Sequence, residues 1–128
     1  KIPNISLKNE IIKDMNQEYA QVHATIIPYT QFDDFLKLIP NSALESLAAG
    51  KPLIVSTKTE LARIVQQYKC GVVFEPTTGD LRQAVERLQK NYKIYQKNCR
   101  KTAEKLFSKE IFLKKYEELY TKIGERQP

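Results

Sequence analysis

Three short apolar runs, each beginning or ending at a proline or a glycine, constrain the fold of this chain most. They are Val22–Pro28, Pro52–Ser56 and Gly71–Phe74, and all three contain β-branched residues. Because none of them alternates strictly between apolar and polar residues, each run predicts a strand that is buried on both faces. Helical patterns separate the runs, so we predict an α/β fold with a parallel sheet and flanking helices.

Apolar residues recur at helical spacing in the segments around these runs. We predict helices over Lys8–Ala20, from a cap at Asn41 or Ser42 to Gly50, over Thr59–Tyr68, from a cap at Thr78 or Asp80 to Gln89, over Asn91–Leu106, and from a cap at Ser108 onward. We also expect a short edge strand at Ile2–Ile5 and a helical turn at Asp33–Leu38. With 128 residues the chain predicts one partial domain: a lead-in at 1–21, a βαβαβα core at 22–89 and helices at 90–128.

The last predicted helix carries an apolar stripe that we interpret as core packing. Its members are Ile111, Phe112, Tyr116, Leu119, Tyr120 and Ile123. We expect Cys70 and Cys99 to be reduced, partly buried thiols, and His23 to have a structural role. Two cysteines and one histidine do not make a zinc site, so we expect no metal.

Positive charge is concentrated at the end of the chain. Residues 1–86 have 9 Lys and Arg against 10 Asp and Glu, a net charge of −1, whereas residues 87–128 have 12 against 5, a net charge of +7. We interpret the basic part as solvated helix faces; the alternatives are contact with anionic lipid or with nucleic acid. Nucleic acid is the weaker of these, because no zinc-finger spacing or aromatic-basic motif is present. No apolar run has the length of a membrane span.

Parallel sheets bind ligands beyond the carboxyl ends of their strands, where the helix beginning near Ser42 should start. The first-turn amides of Ser42, Ala43 and Leu44 would then be phosphate donors, with Asn41 beside them. Glu45 could accept hydrogen bonds from the two vicinal hydroxyls of a ribose. The alternative is a capping box, in which Glu45 folds back onto the Ser42 amide. For the small residues Ala48, Ala49 and Gly50 we expect close packing of the helix on the sheet.

A set of motifs in a fixed order points to a family. After Pro28 come PNSALESLAAGKPLIVS at 40–56, CGVVFEP at 70–76, LRQAVERL at 81–88 and FSKEIFLKKYEELY at 107–120. In this respect the chain resembles the C-terminal domain of GT-B glycosyltransferases of the large retaining group called family 4. The resemblance implies a Rossmann-like partial C-terminal domain that binds a UDP- or GDP-type sugar donor without a required metal or cofactor. It also implies that Glu45 contacts the ribose and that the amides of Ser42 and Ala43 contact the diphosphate.

The sequence departs from the family pattern at two places. Lys37 stands where the family commonly has its first glutamate, so the catalytic residue stays unassigned, and the loop Ser56–Glu60 lacks the family's frequent glycines. Because the chain starts at Lys1 and lacks the acceptor-binding domain, we expect a fragment that is inactive alone. We expect a cytoplasmic protein with peripheral membrane contact, and self-association through a bare sheet edge. The alternative function is a non-catalytic interaction module of GT-B type.

Overall fold

The three apolar runs form one parallel sheet in a computed structural model, which describes residues 3–29 and 37–125. The strands are β1 (Thr25–Ile27), β2 (Leu53–Ser56) and β3 (Gly71–Phe74), in the order β1-β2-β3. Ile26 pairs with Ile54, and Ile54 pairs with Val72. The predicted α/β fold class is therefore confirmed, although β1 is shorter than the predicted Val22–Pro28.

Six helices accompany the sheet in the described residues. They are α1 (Met15–Ala20), α2 (Asn41–Ala48), α3 (Glu60–Tyr68), α4 (Thr78–Lys90), α5 (Tyr92–Phe107) and α6 (Lys109–Gly124). Hydroxyl side chains start three of them, because Thr59, Thr77 and Ser108 each accept a hydrogen bond from a first-turn amide. The predicted cap at Ser108 is confirmed, and the helix predicted over Thr59–Tyr68 is present as α3, with Thr59 as its cap. The prediction for α4 is wrong, since Thr77 is the cap and the Asp80 carboxylate accepts from the Glu75 amide instead.

The two faces of the sheet have separate cores. On one face, α2, α3 and α5 cover the sheet, with Leu47, Leu53 and Val65 at the centre of the buried cluster. On the other face, α4 packs Ala84 and Leu88 against the strands. Every residue of β2 is buried, which explains why that strand is apolar along most of its length.

The backbones of β3 and β2 approach each other closely at Gly71. A Cβ atom at this position would lie 2.0 Å from the Leu53 carbonyl oxygen, a distance that no side chain tolerates. Gly50 follows α2 with a φ of 72°, in the left-handed region that glycine adopts without strain. The predicted end of that helix at Gly50 is thereby confirmed.

The lead-in differs from the prediction. Residues 3–5 form no strand, and residues 1–2 lie outside the described part. The predicted helix Lys8–Ala20 shrinks to α1, since the Asp14 carboxylate accepts from the amides of Asn16 and Gln17 and caps the helix there. Ile11 is almost fully exposed. The apolar spacing that predicted an earlier start of this helix therefore does not reflect burial at that position.

The apolar stripe of α6 is also placed differently from the prediction. None of the α6 residues is buried, and the side chains of Phe112, Tyr116, Leu119, Tyr120 and Ile123 are about half exposed or more. The stripe is continuous, because the Phe112 and Tyr116 rings lie 4.6 Å apart between centroids. Interpretation of this stripe as core packing is wrong for the described residues.

The two edges of the sheet differ. At the β3 edge, the Arg87 guanidinium donates a hydrogen bond of 2.9 Å to the Val73 carbonyl oxygen. At the β1 edge, Ile26 keeps 46% of its surface exposed. The basic side chain therefore protects one edge with a charge, a common way of blocking strand addition.

Candidate functional site

The start of α2 lies at the carboxyl edge of the sheet, which is where the sequence predicts a ligand site. Since β1 and β2 are parallel, the chain between them must run back along the sheet, and α2 therefore begins near the carboxyl end of β1. Ser46 connects the helix to β1 and to the chain just before β2. Its buried hydroxyl donates to the Thr25 hydroxyl at 2.8 Å and to the Lys51 carbonyl oxygen at 3.0 Å, alternatives for one hydrogen.

Packing of α2 on the sheet uses other residues than predicted. Ala43, Ser46 and Leu47 are buried, whereas Ala48 and Ala49 are exposed. The prediction that the small residues near the end of the helix contact the sheet is therefore wrong for these two alanines. Helical periodicity accounts for the difference, because positions 43, 46 and 47 share one face.

Pro40 is the N-cap of α2, so neither Asn41 nor Ser42 caps the helix as predicted. Asn41 is instead the first helical residue and Ser42 the second, and both side chains are exposed. The Ala43 amide donates to the Pro40 carbonyl oxygen at 2.9 Å. This tight first turn leaves the amides of Asn41 and Ser42 as the foremost donors at the helix terminus.

Glu45 is not part of a capping box. The N-cap is Pro40 and no side chain makes a capping hydrogen bond there, so that alternative is wrong. The Glu45 carboxylate instead accepts a hydrogen bond of 3.3 Å from the Tyr19 hydroxyl, which also lies 3.2 Å from the Ser42 carbonyl oxygen. Burial, followed by the nearby Glu45 charge, raises the pKa of Tyr19, which keeps this hydroxyl protonated as a donor at neutral pH.

A cavity of about 450 Å³ lies between α2 and α5. Leu44 and Glu45 line it from α2, while Arg100 and Glu104 line it from α5. Two of the five predicted site residues thus face one concave surface, and Asn41, Ser42 and Ala43 lie in the turn that precedes it.

The remaining sequence candidates lie around this region. Lys37 is exposed, four residues before Asn41. The predicted turn at Asp33–Leu38 falls largely on residues 30–36, outside the described part. In the loop that follows β2, the Thr57 hydroxyl donates to the Glu75 carboxylate at 3.0 Å.

The structural roles expected for His23 and the cysteines agree with the geometry. The His23 carbonyl oxygen accepts a 2.9 Å hydrogen bond from the Tyr92 hydroxyl, and the two rings meet edge to face. Cys70 and Cys99 are free thiols and are fully buried, more deeply than expected. Within the described ranges, no group of three or more His, Cys, Asp or Glu side chains could hold a metal ion.

Two residues that contact or anchor α2, Tyr19 and Ser46, could not be identified from the sequence. Tyr19 was visible only as one apolar position of a helix, and its hydroxyl meets Glu45 across 26 residues of sequence. Ser46 gave no separate signal, because a serine inside a helix is usually exposed. Both contacts depend on how the elements pack, which spacing along the chain does not reveal.

The sheet, its helices and the position of α2 define a Rossmann-like α/β protein. A solved structure with this fold is sucrose-phosphate synthase from Thermosynechococcus elongatus, at a TM-score of 0.70 and 21% sequence identity. The match covers 86% of this chain and 27% of that protein, so the chain corresponds to about a quarter of its length. A search of curated protein sequences finds no match.

The family follows from the sequence itself. Residues 1–91 match the model of the family described as glycosyl transferases group 1. Because this match spans well over half of the 128 residues, the chain belongs to that family. No helix in the described residues combines the length and apolar character needed to cross a membrane.

Proposed function

We propose that the protein containing this chain transfers a sugar from a nucleotide-diphospho-sugar, of UDP or GDP type, to an acceptor. In this proposal the chain supplies part of the nucleotide-diphosphate site, at the start of α2. The supporting observation is the Glu45 carboxylate, which lies in the second turn of α2, outside any capping box and beside a cavity. Membership of the glycosyl transferases group 1 family supports the class of reaction.

The helix terminus would bind the diphosphate. The Ala43 amide is engaged by Pro40, so the amides of Asn41 and Ser42 would make the first contacts, with the exposed Ser42 hydroxyl as a further donor. The positive end of the helix dipole favours an anion at the same place. These groups would stabilise the negative charge that develops on the departing nucleotide.

The carboxylate would bind the sugar of the nucleotide. Tyr19 contacts one oxygen of Glu45, which leaves the other oxygen available to two vicinal hydroxyls of a ribose. Leu44 would contribute apolar surface from the cavity wall.

The finer features of the reaction come from the family resemblance. We expect retention at the anomeric carbon and no requirement for a metal or cofactor. The second domain that orients the acceptor would be needed for turnover, so we expect the chain alone to bind nucleotide without transferring sugar. A cytoplasmic location with peripheral membrane contact, through the basic residues of 87–128, fits an enzyme that modifies a lipid-linked acceptor.

Titration calorimetry with UDP and GDP tests the nucleotide site. Replacing Glu45→Ala should weaken binding by about 1–3 kcal/mol, or roughly 5- to 150-fold, through loss of a hydrogen-bonded carboxylate. Glu86→Ala is the matched control, because Glu86 is likewise an exposed glutamate on a helix but belongs to α4, on the other face of the sheet. It should leave the dissociation constant unchanged.

Two results would contradict the proposal. One is a wild-type chain that is folded by circular dichroism and binds neither UDP nor GDP. The other is equal loss of affinity in Glu45→Ala and Glu86→Ala, which would show that the loss does not depend on a contact at the start of α2.

Lys37 supports a second candidate function, a non-catalytic module of the same fold. A lysine at this position lacks the carboxylate that the family commonly has there. Nucleotide binding without release of sugar from UDP- and GDP-sugar donors, measured on a longer form that includes the acceptor domain, would favour this module.

A further inference from the structure

Tyr19 reaches the start of α2 from a distant part of the sequence. It lies in the last turn of α1, and only 7% of its surface is exposed. Its hydroxyl is 3.2 Å from the Ser42 carbonyl oxygen and 3.3 Å from Glu45 Oε2. A single phenolic hydrogen thus connects α1 to the two α2 residues that the proposed function uses.

The position of Glu45 depends on this contact. Within residues 3–29 and 37–125, the Tyr19 hydroxyl is the only group that hydrogen-bonds to the Glu45 carboxylate. An exposed glutamate otherwise samples many rotamers, and fixing them when a ligand binds costs conformational entropy. A buried aromatic ring has little such freedom, so its hydroxyl can restrict the carboxylate before a ligand arrives.

We infer that Tyr19 is a positioning residue that holds the Glu45 carboxylate for the vicinal hydroxyls of a nucleotide ribose. This inference rests on the proposed function, because it assumes that Glu45 binds the ribose. Tyr19 itself does not contact the ligand in this arrangement. Tyr19 acts through Oε2 of Glu45. Removal of the Tyr19 hydroxyl therefore weakens the binding of only those ligands that have ribose hydroxyls.

The experiment compares UDP and GDP with their 2′,3′-dideoxy forms, which lack both hydroxyls, in calorimetric titrations of the 128-residue chain. Tyr19→Phe removes the hydroxyl and keeps the ring. We expect it to weaken the binding of UDP or GDP about five-fold, the usual effect of losing one hydrogen bond. The dissociation constants of the dideoxy forms should not change. Tyr92→Phe is the matched control, because its hydroxyl also bonds to a backbone carbonyl, that of His23, away from Glu45. It should change neither affinity.

The outcomes separate the inference from the proposed function. If wild-type protein binds no nucleotide, or if Glu45→Ala binds as tightly as wild type, the proposed function fails and the inference fails with it. If Glu45→Ala weakens binding but Tyr19→Phe does not, or weakens ribose and dideoxy forms equally, the inference alone is overturned.

A measurement on the unmutated chain covers the case in which Tyr19→Phe does not fold. With carbon-13 at the tyrosine ring, the Tyr19 Cζ resonance should shift when UDP or GDP is added, because the hydrogen bond to Glu45 changes as the carboxylate engages the ribose. The dideoxy form should shift it much less. Equal shifts with both forms, or none with either at saturation, would overturn the inference.

Discussion

Among single residues, Cys70 and Cys99 show most directly how burial determines chemistry. Both thiols lie in the core between the sheet and α5, and Cys99 Sγ is 3.5 Å from the Cys70 carbonyl oxygen. Burial raises the pKa of Cys70 to about 11 and that of Cys99 to about 12, and the neighbouring Cys70 thiol also raises the latter. The protonated thiol is not a nucleophile, so both cysteines should react slowly in the folded chain.

These shifts predict a loss of stability at alkaline pH. In the unfolded chain a thiol ionises near its ordinary pKa of about 8.5. Between that value and the raised pKa, the folded state keeps a proton that the unfolded state has lost, so the free energy of unfolding falls as pH rises. Urea unfolding at pH 8 and pH 10.5 should show this decline, and Cys99→Ala should reduce it. The same decline in Cys99→Ala would contradict the role of this thiol.

At the proposed site, the position of Glu45 could be predicted from the sequence, whereas the identity of the helix cap could not. That a carboxylate at Glu45 stands near a helix terminus could be read from PNSALE, because proline and small polar residues favour a helix start. Which residue caps the helix could not be predicted, since Asn41 and Ser42 both suit the position and neither of them occupies it. The structure decides for Pro40, and this decision removes the capping box.

Within the elements, the pairing of β3 with β2 depends on a residue without a side chain. Replacing Gly71→Ala would place a Cβ atom 2.0 Å from the Leu53 carbonyl oxygen, and the rigid strand backbones leave it no space. We expect a loss of about 3 kcal/mol in the free energy of unfolding, the upper part of the range for overpacked cores. Urea unfolding followed by circular dichroism measures it.

Gly79→Ala is the control for this substitution. Gly79 lies in the first turn of α4, and no atom would come within 4 Å of the added Cβ. Alanine there should be neutral or should stabilise the chain by about 0.5–1 kcal/mol, because it suits a helix better than glycine does. A Gly71→Ala variant as stable as Gly79→Ala would show that β2 and β3 can move apart freely.

The core elements were predictable because local and tertiary preferences agree in them. The strand Gly71–Phe74 and the helix cap Ser108 coincide with the predictions, since an apolar β-branched run and a hydroxyl cap each favour one structure. In α6 the apolar spacing was real, but the described residues provide no core beneath it. Periodicity predicts a helix there and cannot tell which surface covers it.

For the molecule as a whole, the difference between the two sheet edges predicts where copies of the chain would associate. Arg87 covers a carbonyl at the β3 edge, whereas the β1 edge has the half-exposed Ile26. We expect the wild-type chain to self-associate through β1, and Ile26→Lys to shift it toward monomer, because a lysine on an edge strand opposes pairing. Sedimentation velocity over a range of concentrations measures this.

Ile94→Lys is the matched control for the edge. Ile94 is exposed on α5, near β3, and the same substitution there adds the same charge and removes the same apolar group. It should leave association unchanged. A wild-type chain that sediments as a monomer at all concentrations would contradict association through β1, and equal effects of the two substitutions would place the contact elsewhere.

The exposed aromatic stripe of α6 determines how the melting of this chain can be followed. Fluorescent dyes that respond to apolar surroundings bind to such a patch on a folded protein, as they do to partly unfolded ones. The native chain would therefore give a high initial signal, and heating would produce a small or inverted transition. Loss of helical ellipticity does not have this background, so it reports unfolding where a dye would report the surface of one helix.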